Sequence, residues 1–125
     1  MSKYLNKKTE VDGILFDSKK EAEYYLYLKQ LEKSGEIQSL QRQVPFEIIP
    51  PVYIDVVKHL KTKDKTETRC VQRATHYVAD FVYIVTKTGQ REVVDVKSFI
   101  TRRNPEYRLK KKMMLAFKGI EIKEV

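Results

Sequence analysis

Residues 77–85 read Tyr77-Val78-Ala79-Asp80-Phe81-Val82-Tyr83-Ile84-Val85, an almost unbroken apolar run interrupted by one aspartate. A strand with one wet face alternates apolar and polar residues, whereas a run apolar at both parities is buried on both faces. Such a strand needs a sheet with a layer on each side. A second strand, residues 91–98, apolar around its own acid in Val93-Val94-Asp95-Val96, follows after Thr86-Lys87-Thr88-Gly89, a natural hairpin connection.

Two helices supply the layers. Ser18 is placed to cap the first, Glu21 stands three residues later as in a capping box, and the pattern runs to about Lys33 before Gly35 stops it. Asn104 caps the second, with Pro105 at its first position and Glu106 at the positive end of the dipole. Leu109, Met113, Ala116 and Phe117 give it an apolar stripe of the kind that packs on a core, and Gly119 ends it. Shorter extended segments are expected around 13–16, over 38–49 up to Pro50-Pro51, over 53–57 and over 120–125. Residues 1–12 or so read as a flexible arm, and about 58–73 as a basic loop or hairpin. The expectation is a single α/β domain over 1–125, with a central mixed β-sheet flanked by helices.

Composition narrows the class. A chain of 125 residues, 42% hydrophobic and 34% charged, fits one modest core. No apolar run reaches the ~18 residues of a membrane span, and residues 1–10 lack the apolar stretch of a signal peptide. Cys70 is the single cysteine, so an internal disulfide and a thiolate zinc site are both excluded. A reducing cytoplasm is the simplest compartment. The net charge of +8 points to a polyanionic partner such as nucleic acid.

Three acids sit where packing alone would not put them. Asp80 and Asp95 each interrupt an apolar strand, and a buried carboxylate needs a partner, a proton or a metal. If the turn sets Val85 opposite Gln90, Asp80 falls opposite Asp95, with Cβ atoms roughly 4.5–5.5 Å apart. Strand alternation puts Asp95 and Lys97 on one face. Glu21 shares a helix face with Tyr24, Tyr25, Leu28 and Leu31, and so points toward the sheet. Plain readings stand beside these: Glu21 as the capping-box residue, Asp80 as a backbone cap or arginine partner, Asp95 and Lys97 as a surface salt bridge. Clustered carboxylates beside a lysine, without a histidine pair, suit a hard cation such as Mg²⁺, with Mn²⁺ as a substitute, and the chemistry of phosphodiester hydrolysis.

These residues resemble the PD-(D/E)XK nuclease superfamily, through Glu21 on the first helix, Asp80 on one core strand and Asp95-Val96-Lys97 on the next. More narrowly, Phe16-Asp17-Ser18-Lys19-Lys20-Glu21-Ala22, Tyr77-Val78-Ala79-Asp80-Phe81, the stretch from Val94 through Ser98 to Thr101, and residues 119–125 resemble a family of short phage-encoded proteins catalogued as a domain of unknown function. The resemblance implies a restriction-endonuclease-like core. It implies one or two Mg²⁺ ions held by Glu21, Asp80, Asp95 and the Val96 carbonyl, and a catalytic Lys97. The position before the first aspartate, a proline in the superfamily's name, is Ala79 here. A phage origin would place the protein in the bacterial host cytoplasm.

Arg102, Arg103 and Lys110 near the second helix, and Arg69 and Arg73 in the 58–73 segment, are candidate phosphate contacts, which give affinity without sequence specificity. The same residues read plainly as solvated helix and loop faces. The expected function is a Mg²⁺-dependent DNA endonuclease with no small-molecule cofactor, with branched junctions as the preferred substrate and a homodimer supplying two active sites. The alternative is a non-catalytic DNA-binding or packaging-accessory module, which binds DNA regardless of Mg²⁺. A third reading is a structural interaction protein whose buried acids pair with arginines.

Overall fold

The computed structural model describes residues 8–125. Its elements are β1 (Thr9–Val11), β2 (Ile14–Phe16), α1 (Lys19–Ser34), β3 (Ile37–Ile49), β4 (Val52–His59), β5 (Asp64–Gln72), β6 (Thr75–Val85), β7 (Arg91–Asp95), α2 (Phe99–Arg102), α3 (Pro105–Lys118) and β8 (Ile122–Glu124). The central sheet has the order β3-β6-β7-β8. β6 runs antiparallel to both neighbours, and β7 runs parallel to β8. The fold is α/β with a mixed sheet, as the sequence implies. The parallel β7–β8 pair requires a crossover, and α2 and α3 provide it.

The two long helices start and stop where their capping residues say. Ser18 Oγ accepts the N–H of Glu21, and Asn104 Oδ1 accepts the N–H of Tyr107. Gly35 and Gly119 end α1 and α3 in the left-handed conformation, which costs glycine least. α1 covers one face of the sheet, packing Ala22, Tyr25 and Leu28 on Phe16, Phe81, Tyr83 and Val94. α3 covers the other, where Met114 meets Tyr77, Ala79, Val82, Val93 and Ile122. β6 is therefore buried on both sides.

Several expectations are corrected. The arm read over about 1–12 is a strand in its second half, where β1 pairs with β2; its first seven residues lie outside the described part. The basic 58–73 segment takes the hairpin form of its two alternatives and only its extent changes, since it belongs to a longer hairpin, β4–β5, whose two strands pair with each other in a separate sheet. Strand β7 ends at Asp95 and does not continue to residue 98. The stripe on α3 is rotated: Leu109 and Phe117 are 57% and 62% exposed, and the inward residue is Met114. Met113 and Tyr107 pack beside it, so the helix has apolar residues on more than one face.

Candidate active site

The β6–β7 ladder pairs Ile84 with Arg91, Tyr83 with Glu92, Val82 with Val93 and Phe81 with Val94. Val85 N–H donates to Gln90 O at 2.9 Å, closing the turn. This is the register the turn length implies, and its next position sets Asp80 across from Asp95. There the regular pairing stops and the side chains take over. Asp80 N–H donates to Asp95 Oδ1 at 3.2 Å, and Val96 N–H donates to Asp80 Oδ2 at 2.9 Å. Where two strands part, backbone donors lose their partners, and each carboxylate caps the opposite strand.

Asp95 is 1% exposed, and the Tyr77 hydroxyl donates to its Oδ2. Burial pushes its carboxyl up to about 7; the Tyr77 hydrogen bond works against this and the Asp80 charge adds to it. Glu21 is buried as well. Burial, then the charges of Asp80 and Asp17, raise it to about 7, with Arg42 opposing. The capping box is half formed. Ser18 accepts the Glu21 N–H, but the Glu21 carboxylate turns to the sheet, where Gln43 Nε2 lies 3.3 Å from its Oε1.

Gln43 is a site residue that the sequence reading missed. The same Nε2 lies 3.3 Å from Asp80 Oδ1, so one amide links two carboxylates. Its place on β3 follows from the pairing of Arg42 with Phe81 and Val44 with Ala79, which leaves Gln43 across from Asp80. Its backbone is left-handed, φ 50°, which costs a non-glycine residue roughly 1–2 kcal/mol. β6 is irregular at the same level. Tyr77 and Ala79 pack with Met114 while Phe81 and Tyr83 pack with α1, although a regular strand puts all four on one face. Only knowledge that β3 pairs with β6 would have marked Gln43, because it is one of several polar residues in the 38–49 segment.

A family model described as "Protein of unknown function (DUF1064)" matches residues 1–124. The chain belongs to the DUF1064 family. No curated protein and no solved structure matches it.

In this DUF1064 protein Lys97 follows the end of β7 but stays at the site. Its N–H donates to Val125 O at 3.0 Å, continuing the contact with β8, and its carbonyl accepts from Lys20 Nζ at 3.0 Å. The ammonium stands 3.9 Å from Asp95 Oδ2 and 4.6 Å from the centre of the Tyr107 ring. A cleft of about 340 Å³ opens beside it, lined in part by His76, Tyr77, Thr101, Tyr107 and Lys110. Lys110 is thus near Lys97, and its Nζ also lies 3.3 Å from Glu106 Oε1. Arg102 turns toward Glu124, with Nε 3.7 Å from Oε2, and Arg103 caps α2. Arg69 and Arg73 are exposed, Arg69 within the β4–β5 hairpin and Arg73 just after it.

Among the described residues, no three histidine, cysteine, aspartate or glutamate side chains converge closely enough to hold an ion as they stand. Two acids do share a point: Glu21 and Asp80 both reach the Gln43 amide nitrogen. Mg²⁺ is commonly bound through one or two carboxylates with waters and substrate phosphate completing its shell. The donor set of the DUF1064 chain fits that pattern, because these are hard oxygens in a cluster whose burial and mutual repulsion hold Glu21 and Asp95 far above ordinary carboxylates.

Proposed function

We propose that this DUF1064 protein is a Mg²⁺-dependent DNA endonuclease of the PD-(D/E)XK type, with Mn²⁺ able to replace Mg²⁺. The observation that carries the reading is the meeting of Asp80 and Asp95 where β6 and β7 part, with Glu21 joined to Asp80 through Gln43 and Lys97 beside Asp95. Glu21 and Asp80 would hold the ion, with Asp95 and the Val96 carbonyl as the further oxygens at the same fork. A bound divalent ion polarises a phosphoryl oxygen and lowers the pKa of a bound water.

The chain's own residues do the rest. Tyr77 and the Asp80 N–H fix the Asp95 carboxylate from two directions. Lys97, held between Asp95 and the Tyr107 ring, presents a positive charge where negative charge grows on a phosphate in the transition state. Arg69, Arg73, Arg102, Arg103 and Lys110 supply phosphate contacts along the duplex. Branched DNA is the preferred substrate and a homodimer the working unit, since resolving a junction takes two cuts.

The test is cleavage of a labelled four-way junction and a matched linear duplex with Mg²⁺, Mn²⁺ or EDTA, by wild type and Asp95→Asn. Metal-dependent cutting that the variant lacks supports the reading, and the junction-to-duplex ratio sets the subtype. A folded wild type that binds DNA equally with and without Mg²⁺ and cuts neither substrate overturns it in favour of a DNA-binding accessory module.

A further inference from the structure

Resting on that reading, we infer that Gln43 is a positioning residue that sets the spacing of Glu21 and Asp80 and thereby the affinity of the site for a divalent cation. Three observations converge on it. Its amide nitrogen lies 3.3 Å from a carboxylate oxygen of each acid. It occupies the β3 position across from Asp80, between the pairs Arg42–Phe81 and Val44–Ala79. It does so with a left-handed backbone, φ 50°, inside a strand. Strained backbone of this kind persists where the surroundings require the side chain to be aimed.

The chemistry of the group matters as much as its position. A primary amide carries two N–H donors on one nitrogen, one for each carboxylate. It carries no charge. A lysine or arginine there would hold the two acids together by neutralising them and would compete with a metal ion. The amide draws them together and adds no charge of its own, which leaves a cation the charge it needs. The Arg42 guanidinium, one residue earlier, lies 4.5 Å over the Phe16 ring, and its charge offsets only part of what burial and Asp80 do to Glu21.

The experiment measures Mn²⁺ binding by calorimetry and by the electron paramagnetic resonance of free Mn²⁺, for wild type, Gln43→Gly, Gln43→Ala and Glu21→Gln. Glycine suits φ 50°, so Gln43→Gly removes the amide while easing the backbone and is the variant least prone to misfold. The expected result is an affinity about tenfold weaker in both Gln43 variants, the scale typical of residues that orient metal ligands. Cleavage by these variants recovers at saturating Mn²⁺, a change in metal requirement rather than in maximal rate. Mn²⁺ binding at wild-type strength in folded Gln43→Gly overturns the inference, as does a wild type that binds no Mn²⁺. A purely structural role would move the melting temperature and leave Mn²⁺ affinity alone. The nuclease reading fails separately: wild type whose Mn²⁺ affinity depends on Glu21 and Gln43 as expected but which cuts no DNA sinks that reading and leaves this one standing.

Discussion

Asp95 Oδ1 accepts the backbone N–H of Asp80 at 3.2 Å, at the first position beyond the regular β6–β7 pairing. Its other oxygen accepts the Tyr77 hydroxyl. The same carboxylate is therefore a candidate ligand and the acceptor for two donors at a buried fork. At pH 5.5, below the raised value of its carboxyl, Asp95→Ala is expected to lower unfolding free energy by about 2–3 kcal/mol, because donors stripped of a partner in a buried place keep their desolvation penalty. Asp95→Asn retains an oxygen for one donor and loses less. Urea unfolding followed by circular dichroism gives both values; an alanine variant with the wild-type midpoint would show that these bonds contribute nothing. On the proposed function, metal-dependent cleavage is expected to be lost in either variant.

The two buried acids give a signed pH dependence. Glu21 and Asp95 rise from ordinary values of 4.5 and 3.8 to about 7 on folding. The folded chain thus binds more protons than the unfolded one between about pH 4 and pH 7. Their contribution to stability is present in full below the unfolded values and is lost as pH rises through 7. In EDTA the melting temperature should fall by several degrees from pH 5.5 to pH 8. Millimolar Mg²⁺ or Mn²⁺ should restore it at pH 8 and change little at pH 5.5, where the acids are protonated. A melting temperature that is flat across this range, or that rises, would contradict the repulsion argument.

Glu21→Gln separates a cation site from a structural ion pair. If Glu21 were a structural partner of Arg42, losing its charge would destabilise the fold. Burial and the neighbouring Asp80 charge outweigh Arg42 here, so neutralising Glu21 is expected to raise the melting temperature by a few degrees at pH 8 in EDTA. The added stability from Mn²⁺ should vanish in the same variant. Scanning calorimetry with and without Mn²⁺ reads both effects, and a fall in melting temperature without metal would favour the structural pair.

The parts of this architecture that were legible in the sequence are those governed by local rules. Ser18, Gly35, Asn104 and Gly119 fixed the helix ends because caps act within a few residues. The Asp80–Asp95 meeting followed from the length of one turn. Gln43 was hidden because its importance depends on β3 pairing with β6, which sets it beside Asp80, 37 positions further along the chain and beyond the β4–β5 hairpin. The hairpin itself was underestimated because it carries no one-sided pattern: Val52, Tyr53, Ile54 and Val57 are all exposed. On α3 the stripe through Leu109 and Phe117 was the more regular signal, yet Tyr107, Met113 and Met114 offer a competing apolar face, and the sheet took that one. Periodicity fixes the element and leaves the choice between two apolar faces to tertiary packing.

The basic residues should act additively and without sequence preference. Lys110 lies at the cleft beside Lys97, and Arg69 lies on the β4–β5 hairpin, so the two report on separate parts of the proposed DNA path. Each alanine variant should weaken binding to DNA in a catalytically silent Asp95→Asn background. It should also reduce the salt slope by about 0.9 for each phosphate it no longer neutralises. Fluorescence anisotropy across a salt series measures this. An Arg69→Ala protein with an unchanged slope would remove the hairpin from the DNA path, and the corresponding result for Lys110 would remove the cleft.

Lys97 carries the sharpest prediction, because its proposed catalytic role and its structural role differ in size. Its ammonium is 3.9 Å from Asp95 and stacked on Tyr107, with a quarter of the side chain exposed. The pair is long, and Asp95 keeps the Tyr77 and Asp80 donors when the ammonium is removed, so its loss should leave the fold in place. On the proposed function, the same charge would face growing negative charge in the transition state of phosphodiester cleavage, where one preorganised donor is worth about a hundredfold in rate or more. Lys97→Ala should therefore keep its fold, its Mn²⁺ affinity and its DNA affinity within a fewfold of wild type while cleavage falls by about two orders of magnitude. Lys97→Arg should not rescue it, because a planar guanidinium with a fixed fork of donors cannot take the place of a compact ammonium between a carboxylate and a ring. Lys20 is close, but its Nζ is engaged by the Lys97 carbonyl and does not reach the same point by default. Wild-type cutting by Lys97→Ala would reduce Lys97 to a partner of Asp95 and leave the carboxylates to act without a lysine.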